Sequence, residues 1–188
     1  MSEIAARHPE AARIELWFED EARVGQKGRT THVWYQKGVR PRGVREQRFA
    51  SAHLFGAVCP AHDTGVALVL PEADTAAMNL FLAELSRTLK PTTHAVLVLD
   101  RAGWHMAGNL VVPTNLTLLH LPSKSPELNP VEKVWQFLRD RHLSHRVLAD
   151  YEAVVDAACK AWNALVAEPG RIASLTSFPW LPQAVRTS

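Results

Sequence analysis

The sequence predicts an α/β fold, a mixed β-sheet flanked by helices, and three observations carry that prediction. Two β-prone runs, Ser51 to Cys59 and Gly65 to Leu70, are joined by the turn-like Pro60-Ala61-His62-Asp63-Thr64, which reads as an antiparallel hairpin. Ala95-Val96-Leu97-Val98-Leu99 is a continuous apolar run of strand length, hence a strand buried on both faces. Beyond Asp74, runs of this kind alternate with helical periodicities. Antiparallel strands early and strand–helix alternation later imply strands of mixed direction between helices.

Taken in order, residues 1–12 are alanine-rich and polar, a short lead-in helix or a frayed end. Ile14-Glu15-Leu16-Trp17-Phe18 is the first strand and runs out into Glu19-Asp20-Glu21. Residues 22–48 are rich in Gly, Arg and Lys, with a short strand expected at His32-Val33-Trp34-Tyr35. After the hairpin, Asp74 is an N-cap for a helix whose stripe is Met78, Phe81, Leu82, Leu85 and Leu89, closed by Pro91. The buried strand ends at Asp100. A short segment from Trp104 to Leu110 leads to a strand at Leu116-Thr117-Leu118-Leu119. Asn129 caps a helix striped by Val131, Val134, Trp135 and Leu138. Asp150 starts the last long helix, with Val154, Val155, Ala158, Trp162 and Leu165 inward, and the tail with Phe178 and Trp180 packs back.

The chain has 188 residues, 47% hydrophobic and 21% charged, a globular composition long enough to bury a real core. We read a lead-in segment, 1–13, and one folded domain, 14–188, with no repeat or linker. No apolar run approaches the ~18 residues of a membrane helix, and no signal core follows the N-terminus, so a soluble cytoplasmic protein is expected. Cys59 and Cys159 lie far apart without Cys-x-x-Cys spacing, which indicates two buried thiols and neither a disulfide framework nor a zinc site. The net charge is only +2, but Arg23, Lys27, Arg29, Lys37, Arg40, Arg42, Arg45 and Arg48 crowd one segment. That segment is either a solvated polar hairpin or a phosphate-contacting surface.

Three acidic residues carry the chemistry. Asp100 follows five apolar residues, so the chain places it beyond the carboxyl end of a strand, where α/β sheets gather ligands. Its bland role is to start a turn through its side chain. Asp20 has the same context, and strand alternation turns it opposite to Glu19 and Glu21 and onto the face of Phe18. A solvated acidic turn is its alternative. Glu132 is the third residue of a helix capped by Asn129 and opened by Pro130, which makes it either a capping-box glutamate or a metal ligand. Two strand-end carboxylates and one on a helix meet the requirement of a two-metal phosphoryl-transfer site. Trp104 and Trp135 read as core residues rather than base-stacking platforms. His142 and His145 read as a helix-end pair rather than zinc ligands.

Phe18-Glu19-Asp20-Glu21-Ala22-Arg23, Val98-Leu99-Asp100-Arg101-Ala102-Gly103-Trp104-His105 and Ser125-Pro126-Glu127-Leu128-Asn129-Pro130-Val131-Glu132-Lys133-Val134-Trp135 closely resemble the three motifs of DDE transposases. The branch resembled is that of bacterial insertion sequences in the Tc/mariner superfamily. Trp34-Tyr35-Gln36-Lys37-Gly38-Val39-Arg40-Pro41 is similar to the family's Trp-x-x-x-Gly-x-x-Pro segment, and the likeness runs from about Ile14 to the final helix. Two positions depart from the family's habit. Arg101 stands where it usually has Asn or a small residue, and Pro122-Ser123-Lys124-Ser125-Pro126 replaces Pro-Pro-Tyr-Ser-Pro.

The resemblance implies an RNase H-like core with Asp20, Asp100 and Glu132 as a catalytic triad holding two Mg²⁺ ions, with Mn²⁺ able to substitute. The implied function is metal-dependent DNA cleavage and strand transfer in transposition of an insertion sequence. Its partners are transposon ends and target DNA, in the nucleoid, and the active unit is a homodimer. Such proteins carry a helix-turn-helix region ahead of the catalytic domain, here to be supplied upstream or in trans. Arg23, Lys27, Arg29, His105 and Lys124 are candidate phosphate contacts. Two alternatives remain at this level: a catalytically silent DNA-binding or assembly module, and an RNase H-like nuclease acting on RNA–DNA hybrids.

Overall fold

The computed structural model describes residues 2–26, 36–38, 49–123, 125–144, 146–179 and 181. A short helix, α1 (Ser2–Arg7), precedes β1 (Arg13–Gly25), β2 (Ser51–Cys59) and β3 (Thr64–Leu70). Then come α2 (Thr75–Thr88), β4 (Thr93–Leu99), β5 (Leu116–His120), α3 (Val131–Leu138), α4 (Tyr151–Val166) and α5 (Arg171–Leu175). The five strands form one sheet in the order β3-β2-β1-β4-β5. β1, β2 and β3 pair antiparallel, whereas β1, β4 and β5 pair parallel. The mixed sheet flanked by helices is the expected fold class.

Strand alternation divides the core into two layers. Trp17, Phe55, Ala57, Leu97 and Leu99 face α2, which buries Met78, Phe81, Leu82 and Leu85 against them. Burying each of those larger side chains is worth about 1.5–3 kcal/mol relative to exposure. On the opposite face, Leu16, Phe18, Leu54, Val58, Val96 and Val98 pack against Val134, Trp135, Leu138, Trp162 and Leu165 of α3 and α4. Every residue of β4 is buried, as its unbroken apolar run requires. The helix starts are also as read: Asp74 accepts from Ala77 N at 2.8 Å, and Asp150 accepts from Ala153 N at 2.8 Å.

Four readings need correction or limits. Asp20 does not end β1; the strand continues to Gly25, because β2 goes on pairing it after β4 has stopped. Cys59 is buried, but Cys159 is exposed, since it falls on the outer face of α4 next to inward Ala158. The tail forms an additional short helix, α5, with Ile172 buried, before Phe178 packs on the core. The strand expected at His32–Tyr35, and Trp180, lie outside the described residues. Among those described, no helix is long and apolar enough to cross a membrane.

Candidate active site

The sheet register sets two of the three acids side by side. The last parallel pair between β1 and β4 is Phe18 with Val98, so Asp20 and Asp100 stand equally far beyond it on adjacent chains. β4 ends there, while β1 is still held by β2, where Asp20 lies opposite Gly56. Asp20 thus keeps fixed strand geometry beside a gap in the sheet. It shares the face of Phe18, the face covered by α3 and α4.

Above Asp20 sits an indole. Trp135 Nε1 donates to Asp20 Oδ2 at 2.9 Å, and the Trp135 ring lies against Trp162 with centroids 6.0 Å apart. Room for this arrangement comes from Gly56: a Cβ there would meet Trp135 Cη2 at 2.6 Å. Burial, then the neighbouring charges of Glu132 and Glu21, push the Asp20 carboxyl up from 3.8 to about 7. Acids crowded in this way gain most from a cation placed among them. Trp135→Phe keeps an aromatic filler and removes the donor. The expected outcome is a folded chain in which a divalent ion held at Asp20 would bind about 10-fold more weakly or worse by calorimetry, the usual cost of losing a ligand's orienting partner. Unchanged affinity would show that the indole does not orient Asp20.

Glu132 reaches the same place because its capping role is already filled. Asn129 has extended backbone angles and its Oδ1 accepts from Val131 N at 3.2 Å. A capping-box glutamate would receive the Asn129 amide, but that N–H donates to Pro126 O at 2.9 Å, within the 3₁₀ turn Pro126–Leu128. Asn129 Nδ2 also donates to Glu19 O at 2.8 Å, which ties the start of α3 to β1 beside Asp20. Glu132, in the first turn of α3, is therefore exposed to a cleft rather than folded back.

Asp100 does both things foreseen for it. Its Oδ1 accepts from Ala102 N at 2.8 Å, the turn-forming bond, and it also lines the cleft. The same oxygen lies 2.9 Å from His105 Nδ1, and His105 Nε2 lies 2.9 Å from Glu21 Oε1. Trp104 Nε1 donates to Glu21 Oε1 at 2.7 Å. Burial lowers the His105 pKa, but the hydrogen bond and charge of Glu21 and the charge of Asp100 outweigh it and leave the value raised. With a carboxylate beside each ring nitrogen, His105 braces Asp100 from behind. Its exposure is only 2%, so His105 is not the phosphate contact expected from sequence; its neighbours on both ring nitrogens hold it inside.

Beneath this bridge, Glu19 is fully buried, with His105 Nε2 at 3.7 Å and no hydrogen bond to either carboxyl oxygen. Burial, then the charges of Glu21, Asp20 and Asp100, raise its pKa well above the ordinary value.

Asp20, Asp100 and Glu132 share one cleft of about 230 Å³ with Arg101, Ser123, Ser125 and Asn129. Asp20 and Glu132 also line an adjoining groove with Arg23 and Arg139. Arg23 is exposed, its Nε donating to Ser51 Oγ at 3.1 Å. Lys27, Arg29 and Lys124 lie outside the described residues. The sequence reading missed Arg139, Gly56 and the polar use of Trp135. For Trp135 a signal was available, since it stands three residues after Glu132 and so on the same side of the helix.

Comparison with known proteins accords with this geometry. The family model described as DDE superfamily endonuclease matches residues 15–155. The chain is 53% identical over 129 residues to y4pE/y4sA of Sinorhizobium fredii, a protein named as uncharacterized, covering 69% of this chain and 96% of that one. Among solved structures it is similar to the Mos1 transposase paired-end complex with left transposon end, at TM-score 0.67 and 17% identity. It is similar also to the Mos1 mariner paired-end complex with Mn, at TM-score 0.66 and 14% identity. These alignments cover 97% and 93% of this chain but only 56% and 55% of the Mos1 chains, so the chain spans about half their length. At such identities the likeness establishes the fold alone, an RNase H-like mixed sheet flanked by helices.

Proposed function

Because the chain belongs to the DDE superfamily of endonucleases, we propose that it cleaves DNA and transfers strands as the catalytic core of a bacterial insertion-sequence transposase. The observation that carries this reading is the convergence of Asp20, Asp100 and Glu132 on one cleft, with arginines on either side. Three carboxylates are hard oxygen donors, which suit Mg²⁺ or Mn²⁺, and the raised Asp20 pKa is what acids show before a cation joins them. Asp20, Asp100 and Glu132 would hold two such ions. Bound there, the metal supplies charge stabilisation for the attacking and leaving oxygens of a phosphodiester and eases deprotonation of the attacking water or 3′-hydroxyl.

The protein's own part is positioning. β1 and β4 hold Asp20 and Asp100 in register, while Trp135 and His105 restrict their rotation. Asn129 locks the start of α3 to β1 so that Glu132 faces the same cleft. Arg23, Arg101 and Arg139 stand where a nucleic-acid backbone would pass along the groove, and they would neutralise its phosphates. Recognition of element ends falls to a helix-turn-helix region supplied upstream or in trans, and the active assembly is a homodimer. The site of action is the nucleoid.

The test is nicking of supercoiled plasmid by the purified chain at low salt. Nicking is expected with Mn²⁺ or Mg²⁺, without preference for element ends, and none with EDTA. Cleavage that ignores EDTA, or preferential cleavage of an RNA–DNA hybrid, would overturn the reading. Binding should be salt-dependent, since phosphate contacts carry it. Arg23→Ala and Arg101→Ala should each weaken binding to all sequences alike and lower the slope of log K against log salt by about 1, read by fluorescence anisotropy. A sequence-selective loss would instead place these arginines on base edges.

A further inference from the structure

Away from the acidic cleft, three ligand-bearing side chains from separate parts of the chain meet. Glu15 lies early on β1, about 17 Å before Asp20 at the strand rise of 3.2–3.4 Å per residue. It points to the opposite face, the face of Trp17. Cys59 is the last residue of β2, and His62 closes the 3₁₀ turn Pro60–His62 that follows. One ligand atom from each of Glu15, Cys59 and His62 lies within 4.8 Å of the other two.

We infer that Glu15, Cys59 and His62 form a site for a borderline-soft divalent metal ion, with Zn²⁺ as the natural occupant.

The donor set is the first reason. Thiolate, imidazole and carboxylate together suit Zn²⁺, with bonds of about 2.0–2.3 Å that separate ligand atoms by about 3.5 Å around a tetrahedron. His62 Nε2 and Glu15 Oε1 already stand 3.2 Å apart. Orientation of the ligands is the second reason. Trp17 Nε1 donates to Glu15 Oε2 at 3.0 Å, which turns Oε1 toward His62, as an outer partner does for a metal-bound carboxylate. The backbone amides of Ala61 and His62 interact with the Cys59 sulfur in the sense that favours its thiolate.

Access is the third. Glu15 and Cys59 are buried, which excludes competing water, whereas the His62 side chain is 41% exposed and opens the fourth position to solvent. Arg13 Nη1, at 4.0 Å from Glu15 Oε1 and half exposed, is free to swing outward when a cation arrives. Without metal, burial and the Glu15 charge push the Cys59 thiol up to about 12. Binding therefore releases the thiol proton to solvent.

Such an ion would clip β1 to the turn after β2. Next to His62, Asp63 accepts from Gly170 N and from Ala173 N, so the clip would extend to α5 and the C-terminal layer. The clip would act independently of the acidic cleft.

Co²⁺ titration of the reduced, metal-free chain tests this. A near-ultraviolet thiolate-to-cobalt band should appear with one equivalent, and Zn²⁺ should displace it. Cys59→Ser and His62→Ala should abolish the band or weaken Co²⁺ binding about tenfold or more. Cys159→Ser and Asp100→Asn should leave it intact, which separates this site from the surface thiol and from the cleft. Zn²⁺ should raise the melting temperature of the parent chain but not of His62→Ala, a surface change that spares folding if Cys59→Ser does not. No thiolate band, or a band that survives His62→Ala unchanged, overturns the inference.

Discussion

Asp100→Asn is expected to stop DNA nicking while leaving DNA binding and folding in place, with Asp20→Asn and Glu132→Gln giving the same result. Each change removes one anionic ligand from a cleft whose other groups cannot replace it. Loss of even an outer-shell partner typically costs 10–100-fold, so loss of a ligand should cost at least about 10²-fold in rate. Binding survives because it depends on arginines lining the groove rather than on the acids. Asp100→Asn can retain its bond from Ala102 N, so the turn after β4 should persist. The measurements are plasmid nicking with Mn²⁺, anisotropy for DNA affinity, and circular dichroism for the fold. Persistent cleavage in any one of the three variants, with binding unchanged, would remove that residue from the triad.

Gly56→Val should produce the largest loss of stability. Gly56 lies in β2, fixed by β1 on one side and β3 on the other, so the strand cannot withdraw. An added Cβ would fall 2.6 Å from Trp135 and 3.1 Å from Trp162, both ring atoms within a packed layer. Overpacking of this kind costs about 1–3 kcal/mol, and two indoles meeting at one point put this case at about 3. The same push moves Trp135 away from Asp20, so divalent-ion affinity should fall alongside stability. Urea unfolding with the Asp100→Asn chain as a stable control reads the first effect, and calorimetry the second. An unchanged unfolding midpoint would mean that the indoles shift without resistance, and that packing does not set the Trp135–Asp20 contact.

Much of the fold is legible in local patterns along the chain. Hydrophobic runs of period two or of no period named the strands, and Asp74 and Asp150 marked helix starts, because these signals act over a few residues. The same short-range logic placed Asp20 opposite to Glu19 and Glu21, and Asp100 beyond a buried strand. The three motifs were sufficient to recognise the family. His105 and Glu132 show where local reading stopped. Histidine is a polar residue in any window, and only the fold buries it between Asp100, just beyond β4, and Glu21 on β1. Glu132 sits in a capping position by sequence. It was released because the Asn129 amide is taken by Pro126 and the Asn129 side chain by β1.

Which distant groups meet depends on the packed fold. The parallel register of β1 with β4 brings Asp20 beside Asp100, and the antiparallel pairing with β2 carries β1 on past it. Spacing along the chain likewise argued against a soft-metal site at Cys59, yet the end of β2 folds that thiol against Glu15 and His62. The physical reason is common to all of these cases. Propensity, capping and alternation depend on neighbours a few residues away, whereas ligand sets and buried ion networks depend on strand register and on which helix covers which face.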